Sequence, residues 1–364
     1  LGKKRFANLN RVEPHNSYKQ FNRWRQERMG KQRLKDYSYQ VPCVEADKTF
    51  LQRNRTTPTL TWVGHSTFLI QFQGQNIITD PVWSSRMAFH KRLAPPGIPI
   101  DDVPSIDVIL ISHSHYDHLS ISSIRRLAGG KQLLVPAGLS AKLRLKGFSR
   151  VKELHWWESV TIGAVKYTFV PSQHSTRRNP WDSNSSHWGG WMLEAVQHPH
   201  SGRFASEAGG DMNRTSGDEP AARQKGEAAA AGNEVAASAE PQKERSAASC
   251  IYFAGDSGYF SGFKDIGKRF NVDIALMPIG AYEPEWFMGP QHVTPEEALR
   301  AFKDTGASVF VPMHYGAFKL ADDTPREALD RLEAERRRLK LPEERVVVLP
   351  VGHVWQPNEW LKKL

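Results

Sequence analysis

From about residue 58 onward the chain is written in short apolar runs separated by turn signals. TLTWV (59–63), TFLIQF (67–72) and NIITD (76–80), parted by Gly-containing breaks, predict a β-meander, and DVILIS (107–112) predicts a buried strand. ISSIRRLA (121–128) spaces Ile121, Ile124, Leu127 and Ala128 as an amphipathic helix does. KQLLVP, a basic helix near 139–145 and VKELHW repeat the strand and helix rhythm, and VKYTFVP (165–171) and SHWGGWMLEAV (186–196) return to strand. The stretch 199–249 breaks the pattern: it is rich in Ala, Gly, Ser and Glu, and Phe204, Met212 and Val235 are its only large or branched apolar residues. Such a stretch cannot bury enough surface to fold, which predicts a disordered surface insertion between two strands, because CIYFAG (250–255) resumes the β pattern at once.

The final third alternates again: VDIALMPIG (272–280), a helix from Pro295, ASVFVPM (307–313), a helix from Pro325 to about Leu339, and RVVVLPV (345–351). Thr294-Pro-Glu-Glu297 and Thr324-Pro-Arg-Glu327 are capping boxes, each with Thr at the cap, Pro in the first turn and Glu three residues on. Strands and helices in both halves predict two sheets packed face to face and flanked by helices. The expected organisation is a basic N-terminal extension (1–57) and one catalytic domain made of 58–198 and 250–364, interrupted by the insertion at 199–249.

Composition adds three constraints. The 364 residues are 39% hydrophobic, enough for one large core or two modest ones, and wholesale disorder and a collagen-like fibre are excluded. No run approaches the roughly 18 apolar residues of a membrane span, and nothing at the N-terminus resembles a signal-peptide core, although a chain that begins at Leu1 leaves open a targeting segment ahead of it. Cys43 and Cys250 cannot make a disulfide framework, so a reducing, cytoplasmic setting is expected. Of the net charge of +10, residues 1–35 carry 11 Lys and Arg against 2 Asp and Glu. A basic arm beside a near-neutral body argues against a whole-surface nucleic-acid binder and allows a local contact with an anionic membrane or RNA; a solvated tail fits it equally.

The strongest chemical signal follows the buried strand 107–112: His113-Ser-His115-Tyr-Asp117-His118. Four potential ligands within six residues make a poor core, since each buried imidazole or carboxylate needs a partner. In an extended segment His113 and His115 share one side, so both can reach one metal, while the turn through Tyr116 lets Asp117 and His118 reach a second. His174, Asp256 and His314 each lie just past the end of an apolar strand. Their shared placement predicts convergence: His113, His115 and His174 on one zinc, Asp117, His118 and His314 on the other, and Asp256 bridging. A pair of zinc ions activates water at neutral pH and clamps the oxygens of a displacement, so the expected reaction is metal-assisted hydrolysis. Iron or manganese could occupy the same ligands.

These residues resemble the metallo-β-lactamase superfamily, and the wider text resembles its N-acyl-phosphatidylethanolamine-hydrolysing phospholipase D branch and microbial relatives. The likeness runs from about Thr59 towards the C-terminus, skips 199–249, and rests on WVGHST (62–67), TDPVWSSR (79–86), LISHSHYDHL (110–119), PSQH (171–174), FAGDSGY (253–259), IGKRF (266–270), PIGAYEPEWFM (278–288), QHVTPEEA (291–298) and MHYGAF (313–318). It implies an α/β fold of the αββα four-layer sandwich type, two zinc ions on the ligands above, and phosphodiester cleavage that yields phosphatidic acid and an N-acylethanolamine.

Around the ligands, Asp80 is expected to stand behind them and accept a hydrogen bond from a ligand imidazole, or to be an Asp-Pro turn. His65 stands either behind the ligands or towards the substrate. Gln291 and His292 lie beside the substrate in the resembling family. Asp117 is a candidate proton donor to the leaving alkoxide, and His292 a second catalytic candidate. Arg177 and Arg178 are candidates to meet a phosphate oxygen, against a plain solubility role. Trp286 and Phe287, with Trp83, Met87, Phe89 and Met288, fall outside strand or helix spacing and suit an acyl-chain groove or membrane-facing rim. The expected partners are a phospholipid substrate, peripheral contact with an anionic membrane, and a second copy of the chain in a homodimer; nucleic acid is disfavoured. The rival readings are the same site acting on a lactone, a phosphorylated sugar or a nucleic acid, and a non-catalytic membrane-binding module.

Overall fold

Successive residues of the predicted strands point to opposite sides, and the two sides meet different partners. In the computed structural model, which describes residues 5–9, 12, 18–31, 35–87, 89–196 and 249–362, Trp62, Phe68, Ile70, Ile77, Val108, Leu110 and Leu134 enter one core while Val63, Leu69, Ile78, Ile109, Leu133 and Val135 enter another. Strands apolar on both faces must be covered on both, which is the condition for a layered sandwich.

The seven strands of the first sheet run in the order Val354–Trp355, Thr59–Gly64, Thr67–Phe72, Gln75–Thr79, Val108–Leu110, Gln132–Pro136, Val151–Leu154. The six of the second run Val309–Met313, Ile274–Pro278, Cys250–Phe253, Gly190–Ala195, Val165–Val170, Ser159–Ile162. Each sheet is antiparallel through one half and parallel through the other. Between the sheets, Trp62, Phe68 and Ile70 of the first share one core with Phe169, Trp191 and Phe253 of the second. Outside the first sheet, Ile124 and Leu143 bring the helices Ile121–Arg126 and Ser140–Leu145 onto the other core. The helices Gly262–Arg269, Pro295–Thr305 and Pro325–Arg338 cover the second sheet through Phe263, Leu299, Phe302 and Leu332. The order helix, sheet, sheet, helix is that of an αββα sandwich. Both expected capping boxes are formed.

Three features depart from the sequence reading. RVVVLPV makes no ladder: Val346 and Val351 form only isolated bridges, to Phe310 and Cys43, and Pro350 lacks the N–H that a continuing ladder would use. The helices Tyr18–Lys31 and Lys48–Arg53 lie in the N-terminal stretch, where the sequence pattern predicts no element. Much of the expected N-terminal extension is packed onto the body: Leu51 is fully buried, Trp24 stacks on Phe287, Arg28 pairs with Asp322 at 3.0 Å, and Lys35 reaches Glu283 and Glu327. Apart from Ser249, the expected insertion lies outside the described residues; the strands on either side of it, Gly190–Ala195 and Cys250–Phe253, pair directly with each other. Among the described residues no helix is long and apolar enough to cross a membrane.

Trp191 ties the two sheets together. Its buried ring lies 4.8 Å from Phe169, and its indole N–H donates to the Ile111 carbonyl at 2.9 Å, across the interface and just before the first metal-ligand candidate. Trp191→Ala is expected to destabilise the fold by about 3–5 kcal/mol, whereas Trp181→Ala, at a residue 81% exposed, changes stability by less than about 0.5 kcal/mol. Denaturant midpoints of the two variants check this; equal midpoints contradict it.

Candidate metal centre

All of the ligand candidates leave the sheets at one edge. Val108–Leu110 runs into His113, and the loop beyond it is pinned by backbone N–H groups of His118 and Leu119 that donate to the His115 carbonyl. Val165–Val170 leads to His174, Cys250–Phe253 to Asp256, and Val309–Met313 to His314. Gly255, just before Asp256, has a φ of +62°, and a Cβ there would lie 2.7 Å from the Ser112 side chain and 2.9 Å from the Gly189 carbonyl. Only glycine lets this turn come so close to the His113 strand. His65, Asp80 and His314 hold positive φ values of 56°, 32° and 63°. Such conformations cost of order 1–3 kcal/mol each and persist where the surroundings impose them.

The ring nitrogens converge. His113 Nε2 is 2.9 Å and His174 Nε2 3.3 Å from His115 Nδ1. In a second group His118 Nε2 is 3.2 Å from His314 Nε2, and Asp117 Oδ2 is 3.4 Å from His118 Nε2, 3.7 Å from His314 Nε2 and 3.0 Å from His65 Nε2. Asp256 stands between the groups: its Oδ2 lies 3.1 Å from His118, 3.8 Å from His113 and 3.9 Å from His174, and its Oδ1 3.1 Å from His314. Nitrogen lone pairs facing one another in a buried space need a cation or protons between them.

The far sides of the rings explain their orientation. His118 Nδ1 donates to Asp80 Oδ2 at 2.7 Å, His174 Nδ1 donates to the Gln291 carbonyl at 3.0 Å, and His113 Nδ1 pairs with Ser112 Oγ at 2.9 Å. Asp80 in turn accepts from the backbone N–H and hydroxyl of Ser112. A nitrogen bonded outward as N–H leaves the opposite nitrogen's lone pair facing inward, which is what a metal needs. His314 Nδ1 is buried without such a partner.

The charges sort the same way. Burial keeps His113, His115 and His174 below the usual imidazole range. Burial also opposes charge on His118 and His314, but Asp256 and Asp117 outweigh it, lifting His118 well above that range and His314 to about 9. Against the same burial, His118 and its neighbours hold Asp117 and Asp256 well below the usual carboxylate range. A carboxylate so firmly ionised is suited to hold a metal.

Other expected residues fall in several settings. His292 is nearly buried, with Nδ1 unpartnered and 3.9 Å from Asp256. The Gln291 side chain accepts from the Ser175 hydroxyl. Arg178 Nη1 donates to the carbonyls of Ser114 and Leu119, and its guanidinium lies over Tyr116, so it braces the His113–His118 loop; a phosphate contact would compete with those bonds. Arg177 is exposed. Trp286 and Phe287, in the short helix Glu285–Met288, are half-buried and contact the N-terminal helix, Phe287 through Trp24 and Trp286 through Glu27 and Arg23. That contact limits their freedom to line an acyl groove. Sequence reading missed Ser112, whose only signal is its position directly before His113, and Asn8, which accepts from the His174 backbone N–H at 3.0 Å.

This geometry agrees with what the chain is similar to. Residues 75–223 and 220–315 match the model of the Beta-lactamase superfamily domain, and the chain belongs to that superfamily as a metal-dependent hydrolase. Its branch is the one that resembles N-acyl-phosphatidylethanolamine-hydrolysing phospholipase D. The N-acyl-phosphatidylethanolamine-hydrolyzing phospholipase D 1 of Caenorhabditis elegans is 29% identical over 322 residues, covering 82% of this chain and 76% of that protein. An uncharacterised protein of Mycobacterium tuberculosis is 31% identical over 325 residues, covering 85% of this chain and 72% of that one. Among solved structures, the metallo hydrolase Igni18 of Ignicoccus hospitalis shares the fold with a TM-score of 0.53 and 21% identity, over 82% of this chain and 98% of that one.

A bound metal must displace the protons that the carboxylates hold on His118 and His314. Because those pKa values are raised, the protons stay on to higher pH, so zinc association strengthens from pH ~6 to ~8.5 and releases protons. Calorimetry in buffers of different ionisation enthalpy checks this, and an affinity independent of pH contradicts it. Asp80→Asn is expected to weaken zinc binding about 10–100-fold in a competition assay with a chromophoric chelator.

Proposed function

We propose that the chain is a dinuclear zinc phosphodiesterase of the phospholipase D type, acting on N-acyl-phosphatidylethanolamine or a similar amphiphile. The observation that carries this reading is the Asp256 carboxylate, within 3.9 Å of His113, His174, His118 and His314 and so between two ligand sets. His113, His115 and His174 would hold one ion, Asp117, His118 and His314 the other, and Asp256 both. When bound, the pair supplies an activated water and a positive clamp for phosphodiester oxygens. The chain's own residues do the rest. Asp80, Ser112 and the Gln291 carbonyl orient the imidazoles. Burial lowers His292 to about 4, so it is neutral at physiological pH and its unpartnered Nδ1 is free to hydrogen-bond a substrate oxygen. His65, lowered to about 3 chiefly by burial, is likewise neutral and hydrogen-bonds Asp117.

The lipid part of the reading draws on the activity for which the relatives are named and on the rim. Tyr116 and Trp181, 56% and 81% exposed, stand on neighbouring loops joined by the Tyr116 hydroxyl and the Arg178 carbonyl, with exposed Arg177 between them in sequence. Amphipathic aromatics beside a cation suit peripheral contact with an anionic phospholipid surface.

The test is mass spectrometry of products from N-acyl-phosphatidylethanolamine micelles. Zinc-loaded protein is expected to release phosphatidic acid and N-acylethanolamine, with the rate at least about a hundredfold lower in His115→Ala and after chelation. Intact lipid at two zinc per chain overturns the lipid assignment and directs the search to lactones, phosphorylated sugars and nucleic acids.

A further inference from the structure

His174 is held in place from three distant segments of the chain. The preceding residue is tied by its backbone N–H to Ser257 Oγ at 2.9 Å, and the His174 ring is tied to the Gln291 carbonyl. The backbone N–H of His174, in a fully buried residue, donates to Asn8 Oδ1 at 3.0 Å. The same oxygen accepts from the indole N–H of buried Trp188 at 3.0 Å, so two donors fix which end of the amide faces inward. Asn8 Nδ2 donates to the Val12 carbonyl. The residues before Asn8 run along the same loop: Phe6 N–H donates to the Asn184 carbonyl and the Phe6 ring stacks on His187 at 4.5 Å.

We propose that Asn8 is a positioning residue of the metal centre: its amide oxygen fixes the backbone at His174 and thereby the aim of that imidazole. Asn8 lies in the N-terminal stretch, outside the region from Thr59 on that carries the family likeness. Without it the Trp188 indole keeps a second acceptor, the Ser172 carbonyl at 3.2 Å. Among the described residues the buried His174 N–H has no other hydrogen bond, and the loop must shift to satisfy it. The inference rests on the two-zinc reading of the site and adds to it a residue that touches no metal.

The experiment uses the full chain as parent, Asn8→Ala and Asn8→Asp, which keeps an oxygen for both donors. Zinc competition with a chromophoric chelator is expected to show one of the two ions weakened about tenfold or more in Asn8→Ala, the other within about twofold, and both close to parental in Asn8→Asp. The visible spectrum of the cobalt-substituted chain should change for one ion only. Equal loss of both ions, a rescue variant as weak as Asn8→Ala, or Asn8→Ala melting far below the parent when both are chelated overturns the inference by making the effect one of general folding. Two parental affinities in Asn8→Ala also overturn it and leave the two-zinc reading standing. A parent that takes up no zinc overturns that reading and the inference together.

Discussion

Burying several imidazoles and carboxylates at one point is the constraint on which the rest of this molecule depends. Isolated, each group would oppose folding, because removing a carboxylate or an imidazolium from water costs far more than a single contact returns. Gathered, they are tolerable only if the charges balance around Asp256, with cations or protons between the rings. That requirement accounts for the positive backbone angles at His65, Asp80 and His314, and for Gly255 at the approach between two strand ends.

The sandwich meets the constraint by dividing labour. Rigid strands with cores on both faces bring the chain to the edge, and short loops beyond them turn the ligands inward. Outward hydrogen bonds then choose the tautomers, and Asp80 is central here because it joins His118 to Ser112 and through Ser112 to His113. Arg178 closes the arrangement from outside by holding the carbonyls of the ligand-bearing loop. Neutral rings on one side and proton-holding rings on the other follow from where Asp117 and Asp256 lie.

What the sequence made legible was local. His113 to His118 is a six-residue cluster beyond an apolar strand, and His174, Asp256 and His314 announce themselves by lying just past strand ends, so their convergence could be read without coordinates. The short apolar runs parted by turn signals, such as TFLIQF (67–72), and the capping boxes at Thr294 and Thr324 made the layers legible for the same reason. What stayed hidden depends on contacts remote in sequence. Asn8 is 166 residues from His174, the guanidinium of Arg178 could as well have faced solvent, and Trp286 and Phe287 look free until Trp24 and Glu27 are seen against them. RVVVLPV has strand composition, but Pro350 and its position left it only bridges. The N-terminal helices carry too many charges for their apolar side chains to signal burial.

The most direct measurement is anomalous diffraction at the zinc edge from crystals of the zinc-loaded chain. Two peaks about 3.5–4 Å apart are expected on either side of the Asp256 carboxylate, one against His113, His115 and His174 and the other against Asp117, His118 and His314. A single peak, or two peaks that Asp256 does not separate, would contradict a two-metal centre built around that residue.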